Sequence, residues 1–192
     1  GEAPRTFALS ASLRADRGLE HGRWMGLPGT KWEVDAIEGK FTRQEDLVFK
    51  GTGDSVSVTT LENMAFPRLV HIATHGFVYE GEGGAHSAGL VLSGANNETA
   101  EANRSYLYTE RIRNLDLFAC DAVILSACRT ARSTSGSGQG EIIKAFKDAG
   151  TDKVIASSWA VPDECTALLM DKFYDYYLQG VSVSQALTEA QR

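Results

Sequence analysis

The chain has 192 residues, 43% of them hydrophobic, which suits one compact domain with a substantial core. Its 19 Lys and Arg residues against 25 Asp and Glu give a net charge of −6, and an acidic chain repels a phosphate backbone. The sequence contains no basic cluster and no apolar run of membrane-spanning length, and its first 13 residues lack the apolar core of a signal peptide. We therefore expect no direct nucleic-acid ligand and no membrane partner.

The cysteine pattern indicates a reducing compartment. Cys120, Cys128 and Cys165 are odd in number and form no CxxC pair, so we expect free thiols, at least two of them buried, and a cytoplasmic protein. His71 and His75 are four residues apart, but the residues between them suit a strand, which does not converge two rings as a helix does. We therefore predict no metal site and no cofactor.

In chain order, short apolar runs bounded by Gly, Pro, Ser or Asp predict five strands. The runs are residues 6–10, 69–74, 89–93, 122–126 and 154–157. The second and fourth runs are almost continuously hydrophobic, as in strands that are covered on both faces.

Helical spacing predicts three helices in the C-terminal part of the chain. Gly150 and Gly180 mark the ends of the first two, and Ser182 with Gln185 forms a capping box for the third. The apolar stripes are Ile142, Phe146 and Ala149 in the first helix, and Cys165, Leu169, Phe173 and Tyr176 in the second. Strands that alternate with helices predict an α/β fold with a mostly parallel sheet flanked by helices.

Two Gly- and Ser-rich segments, residues 77–87 and 129–139, follow predicted strands and are too polar to pack. Ligands of parallel sheets bind in the loops beyond the carboxyl ends of the strands. These two segments therefore mark a candidate site at that edge of the sheet.

The two strongest strands each lead into a reactive side chain, His75 followed by Gly76 in one case and Cys128 in the other. If the strands are neighbours, the imidazole and the thiol emerge at the same sheet edge. Imidazole can take the thiol proton and later protonate a leaving amine. The N–H groups of Gly76 and Cys128 could then stabilise an oxyanion.

This arrangement resembles caspase-like peptidases, which include separases and gingipains. It is most similar to the CHAT domain, the caspase-like module often attached to tetratricopeptide repeats. The blocks that carry the resemblance are residues 27–30, Glu33 with Val34, and residues 71–76, 88–96, 107–117, 125–130, 157–163, 173–177 and 186–191.

The resemblance implies a caspase-like three-layer sandwich and a metal-free His75–Cys128 dyad that cleaves protein substrates. It also implies control by a regulatory partner or a tetratricopeptide-repeat region. Family members continue past Ala190 and Gln191 into a further strand. We therefore expect residues 1–192 to form one such domain that lacks an upstream regulatory region and a final strand.

The resemblance further implies substrate contacts. Ser126 matches a position that lines the primary specificity pocket of caspases, and Ser158 with Trp159 matches the segment that pairs with the substrate backbone. Ala160 replaces the Arg with which caspases bind an acidic side chain, whereas Asp163 falls where separases place an acidic residue. A carboxylate there would select Arg or Lys, so we predict cleavage after a basic residue.

Simpler interpretations compete with several of these assignments. Cys128 could be a buried structural thiol, although the block around His75 argues against this. Asp163 could equally cap the helix that follows it, and Trp159 could belong to the core. We expect His71 to be structural, because strand parity points it into the interior.

At the level of function, the main alternative is a catalytically silent caspase-like interaction module. A scaffold, however, does not need a nucleophile beside a base. A nucleotide-binding domain is disfavoured because the Gly-rich residues 136–140 lack the Lys-Ser or Lys-Thr ending of a phosphate loop.

Overall fold

The computed structural model describes residues 5–10, 19–20, 23–24, 26–41, 47–80, 86–97, 104–126, 137–157 and 163–192. The strands are β1 (Arg5–Ser10), β2 (Leu19–Glu20), β3 (Arg23–Trp24), β4 (Leu47–Thr52), β5 (Leu69–Ala73), β6 (Gly76–Glu80), β7 (His86–Val91), β8 (Tyr106–Tyr108), β9 (Ala122–Ser126) and β10 (Val154–Ala156). The helices are α1 (Pro28–Lys40), α2 (Val58–Glu62), α3 (Thr109–Ile112), α4 (Ser137–Asp148), α5 (Asp163–Tyr177) and α6 (Val183–Ala190).

The main sheet has five parallel strands in the order β10-β9-β5-β1-β4. Every residue of β5 and β9 is buried, as expected for apolar strands covered on both faces. The two strands are neighbours, with Leu69 opposite Ala122 and Ala73 opposite Ser126. Their carboxyl ends therefore lie level at one edge of the sheet, which was the condition for bringing the two predicted reactive side chains together.

Helices cover both faces of this sheet. Side chains from α1, α5 and α6 form one core with alternate residues of β5 and β9, namely Val34, Ile37, Leu69, Ala122, Ile124, Met170, Phe173, Tyr174, Val183 and Ala186. The opposite residues of the same strands, such as Val70 and Val123, pack with α2, α3 and α4 in a second core. The predicted three-layer α/β sandwich is confirmed.

A smaller antiparallel sheet, β6-β7-β8, corrects two predictions. The segment 77–87 was expected to be a loop too polar to pack, but β6 starts at Gly76 and Phe77 is 8% exposed. The predicted strand 89–93 is real but runs from His86 to Val91 and belongs to this second sheet. The glycines at 81, 83 and 84 gave the segment a loop-like composition, although Phe77, Val78 and Tyr79 before them are residues that favour strands.

The C-terminal helices follow their boundary signals. Gly150 adopts a left-handed φ of 108° just after α4, and Ser182 caps α6 by accepting a hydrogen bond from the Gln185 backbone N–H. In the apolar stripe predicted for α5, Phe173 is buried and Leu169 and Tyr176 pack against the same core, but Cys165 is exposed and Thr166 and Ala167 are buried beside it. The predicted structural role of Cys165 in that stripe is therefore wrong, because the helix turns its neighbours towards the sheet.

Cys120 is buried, and its thiol donates to the carbonyl oxygen of Ala122. Burial raises the pKa of this thiol, so a structural role for Cys120 is confirmed. Among the residues that the structure describes, no helix is both long and apolar enough to cross a membrane.

Candidate active site

The structure describes only part of the predicted site. Cys128, Ser158 and Trp159 lie outside the described residues. Asp163 is the first residue of α5, but its side chain is also outside the description, so capping and substrate recognition both stay open for it. The catalytic pairing of His75 with Cys128 therefore stays a prediction, and the geometry around His75, Gly76 and Ser126 is what the structure provides.

The backbone at His75 is tied to the smaller sheet. The N–H of Val91 donates to the carbonyl oxygen of His75 over 2.8 Å, and the Thr74 hydroxyl donates to the carbonyl oxygen of Val91. Gly76 then begins β6 opposite Leu90. These contacts fix the chain direction directly after β5, at the sheet edge where ligands of parallel sheets bind.

An aromatic cluster borders His75. The indole of Trp24 lies 5.5 Å from the His75 ring between centroids, with 34° between the ring planes. Phe77 contacts the same indole at 6.4 Å and meets the rings of Tyr106 and Tyr108 edge-on. With these neighbours, the His75 side chain is 2% exposed.

Trp24 is itself held by polar contacts. Its indole Nε1–H donates to the hydroxyl of Tyr106 over 2.9 Å. The Asn96 side chain accepts from the backbone N–H of Trp24 and donates to its carbonyl oxygen, both over 2.7 Å. A short two-residue strand is thus anchored at backbone and side chain together, which gives the indole a defined orientation.

Ser126 faces the helical layer that contains α1. Its hydroxyl donates to Glu33 Oε1 over 2.6 Å, and each of the two residues is 3% exposed. This hydrogen bond joins α1 to the last residue of β9, two positions before Cys128. The role of Ser126 in a specificity pocket stays a prediction, and the structure adds a buried carboxylate beside its hydroxyl.

The same carboxylate contacts His71, which is fully buried. His71 Nε2 lies 3.2 Å from Glu33 Oε1, without the alignment of a hydrogen bond. The other ring nitrogen, Nδ1, pairs with the Tyr174 hydroxyl at 3.2 Å. Burial, reinforced by the nearby Glu33 carboxylate, raises the pKa of Tyr174 well above its usual value. The structural interpretation of His71 is confirmed.

Comparison with protein families decides the relationship. A family model described as the CHAT domain matches residues 3–192. The chain belongs to the CHAT domain family. The family is related to caspase-like cysteine peptidases, and a search of curated proteins gave no match for the chain.

Two residues of this CHAT domain site carried no functional assignment in the sequence. Glu33 was noted only within a block of resemblance, although Thr30, Val34 and Ile37 share the buried face of α1 with it. A carboxylate inside an apolar helical stripe is a signal that it has buried partners. Trp24 gave no signal, because a two-residue strand has no periodicity and its partners Asn96 and Tyr106 are distant in sequence.

Chemically, the described part of the CHAT domain offers an imidazole and a serine hydroxyl near the same sheet edge, and it offers no obvious metal site. No group of three His, Cys, Asp or Glu side chains arranged for a metal ion occurs among the residues in the described ranges. The arrangement can support proton transfer by the imidazole to and from a neighbouring nucleophile.

Proposed function

We propose that this CHAT domain is a cysteine endopeptidase in which His75 is the base and Cys128 the nucleophile. The observation that supports it is the register of β5 and β9. Ala73, two residues before His75, lies opposite Ser126, two residues before Cys128. Adjacent strands are about 4.8 Å apart, so side chains that extend from two neighbouring strand ends can approach to the hydrogen-bond distance that proton transfer requires.

In the proposed reaction, His75 takes the thiol proton and the Cys128 sulfur attacks the scissile carbonyl carbon. The N–H groups of Gly76 and Cys128 stabilise the resulting oxyanion, a contribution of about 3 kcal/mol for each donor. The C–N bond then breaks as the His75 imidazolium protonates the leaving amine, which yields an acyl-enzyme. Water, deprotonated by His75, hydrolyses the thioester and restores the thiol.

A peptidyl electrophile tests the nucleophile. We expect mass spectrometry to find the label on Cys128, and we expect His75→Ala to slow this labelling at least about a hundredfold. The exposed thiol of Cys165 on α5 is the internal control, and we expect it to react at a rate that does not depend on His75. Equal labelling of the two thiols, or labelling that is insensitive to His75, would contradict the dyad.

We also propose that the substrate is a protein cut after Arg or Lys, with Ser126, Ser158, Trp159 and Asp163 in contact with it. The support is chemical, because a carboxylate at position 163 would pair with a cationic side chain. Digestion of a peptide library, with Cys128→Ala as the inactive control, should enrich basic residues before the cut. Asp163→Asn should reduce that preference roughly tenfold or more. Faster cleavage after Asp or a small apolar residue would refute the preference.

Finally, we propose that a partner, such as a tetratricopeptide-repeat region or an upstream sensor, controls the activity in the cytoplasm. The 2% exposure of His75 supports such control, because a substrate carbonyl must come close to this ring. Activity of the 192-residue chain should be low and should rise when the partner is added. Full activity of the chain alone would exclude this control.

The 2% exposure also favours the second candidate, a catalytically silent interaction module. The labelling experiment separates the two, since a silent module would leave Cys128 unreactive even when its partner is bound. Persistent reactivity of Cys128 that depends on His75 would exclude the silent module.

A further inference from the structure

We propose that Trp24 is a positioning residue for His75, and that the face of its indole stabilises the protonated imidazole. This inference rests on the proposed function for its catalytic meaning. Its physical part, a coupling between one indole and one imidazole, stands on contacts within the described residues. Trp24 is 8% exposed and His75 is 2% exposed, so the contact is shielded from solvent on both sides.

The first argument is the distance and orientation of the Trp24 and His75 rings. The two ring centroids are 5.5 Å apart with the planes 34° from parallel. A cation within about 6 Å of an aromatic centroid is attracted by the electron-rich face, and Trp gives the strongest such attraction among aromatic residues. Protonation of His75 creates such a cation directly beside the indole.

The second argument is that Trp24 is held rigidly. Trp24 cannot follow the imidazole if that ring rotates, because the Tyr106 hydroxyl and the Asn96 side chain hold its indole and backbone. Phe77 packs against the indole from a further direction. The fixed indole restricts the rotamers of the His75 imidazole, and catalysis by proton transfer depends on the orientation of that ring.

The charged and titratable groups around the pair favour a test by titration. Among the described residues, the titratable side chains in ring contact with this aromatic cluster are the phenols of Tyr106 and Tyr108 on β8. Arg23, beside Trp24 on β3, is exposed. The remaining titratable neighbour in the proposal is the Cys128 thiol, which Cys128→Ala removes.

The decisive measurement is the pKa of His75, followed by NMR of the imidazole in the 192-residue chain carrying Cys128→Ala and assigned with His75→Gln. We expect Trp24→Leu to lower this pKa by about half a unit, because an apolar side chain without an aromatic face no longer favours the cation. Trp24→Phe should have a smaller effect. The matched control is Trp32→Leu, because Trp32 is 53% exposed on α1, and it should leave the pKa unchanged.

An unchanged or raised pKa of His75 in Trp24→Leu would overturn the proposal. A rise would mean that the indole acts by excluding water, which disfavours the imidazolium. If Trp24→Leu does not fold, a second measurement in the unmodified chain decides instead. Protonation of a neighbouring imidazole quenches indole fluorescence, so we expect a pH-dependent emission change that disappears in His75→Gln. Identical titrations in the two proteins would contradict the coupling.

The catalytic meaning is tested separately. In a chain with peptidase activity, we expect Trp24→Leu to lower kcat roughly tenfold with KM within about twofold, and to move the acid limb of the kcat/KM profile with the pKa of His75. A Cys128 thiol that does not react with the peptidyl electrophile, with or without the partner, would together with a shifted pKa refute the proposed function and leave the coupling intact. Activity that ignores Trp24 would refute the positioning role alone.

Discussion

His71 and His75 lie four residues apart, and their surroundings are different in kind. His71 is inside β5, where Glu33 and Tyr174 contact its two ring nitrogens. His75 lies just beyond the strand, where the indole of Trp24 is 5.5 Å from its ring between centroids. Both imidazoles are nearly inaccessible to water, with 0% and 2% exposure. Burial alone therefore does not reveal what a histidine does, whereas the chemistry of its neighbours does.

The polar neighbours of His71 connect several helices and strands of the fold. Glu33 and Ser126 connect α1 with the end of β9, and Tyr174 brings α5 into the same network. Buried polar groups that satisfy one another specify a unique packing, but they are costly when one member is lost. The aromatic neighbours of His75 instead contribute ring packing.

Loss of Glu33 should have the largest effect on stability. We expect Glu33→Ala to lower the free energy of unfolding by about 3 kcal/mol, because it leaves the Ser126 hydroxyl and His71 buried without their shared carboxylate. Urea unfolding followed by circular dichroism measures this loss. Glu38→Ala is the matched control on the same helix, because Glu38 has 44% exposure and should cost less than about 1 kcal/mol. Equal losses of stability in the two variants would show that buried Glu33 contributes no more than an exposed carboxylate on the same helix.

A substitution in the aromatic region should come next. In Gly89→Ala, the added Cβ would lie 2.3 Å from the Leu107 carbonyl oxygen and 2.9 Å from the ring of Phe77. We expect a loss of about 2 kcal/mol in the free energy of unfolding, because β7 and β8 must separate. Thermal unfolding and the near-ultraviolet signal of the aromatic cluster would report the change.

Gly39→Ala is the control for Gly89→Ala. Gly39 is within α1, and nothing lies within 4 Å of the position its Cβ would take. Alanine is the better helix former by roughly 0.5–1 kcal/mol, so this variant should be more stable than the parent protein. The two Gly→Ala substitutions would then change the free energy of unfolding in opposite directions.

A smaller loss than for Gly89→Ala is expected for Tyr174→Phe. It removes the hydroxyl that pairs with His71, at a cost of about 1 kcal/mol near neutral pH. The raised pKa of Tyr174 means that the folded state keeps its phenol proton where the unfolded state releases it. Stability from this group is thus complete below the usual tyrosine pKa and falls as pH rises above it.

Tyr174→Phe should therefore lose less stability than the parent protein between neutral and strongly alkaline pH. Denaturant unfolding at several alkaline pH values measures the difference. Tyr176→Phe on the same helix, where the side chain is half-buried, should keep the alkaline decline of the parent. A steeper decline in Tyr174→Phe would contradict the assignment.

The sequence predicted the features that depend on local pattern. The apolar runs of β5 and β9 predicted both strands to within one residue, and Ser182 with Gln185 predicted the start of α6. Because two such strong parallel strands imply a covered sheet, the sandwich and the edge that holds His75 also followed.

The sequence could not predict features that depend on pairing between distant residues. β7 was found as a strand, but its place in a second sheet depends on pairing with β6 and β8, for which single-strand composition gives no signal. The hydrogen bond between Glu33 and Ser126 joins residues 93 positions apart, and Trp24 contacts Asn96 across 72 positions. Each depends on tertiary contacts that override local preference.

Val91 gives the smaller sheet a mechanical connection to the proposed base. Its N–H donates to the His75 carbonyl oxygen, and its own carbonyl oxygen accepts from the Thr74 hydroxyl, so one residue of β7 holds the two residues that directly follow β5. A displacement of β7 would therefore act on the backbone of His75 directly, through these hydrogen bonds. The antiparallel sheet is thus attached to the backbone of the proposed base through the hydrogen bonds of Val91.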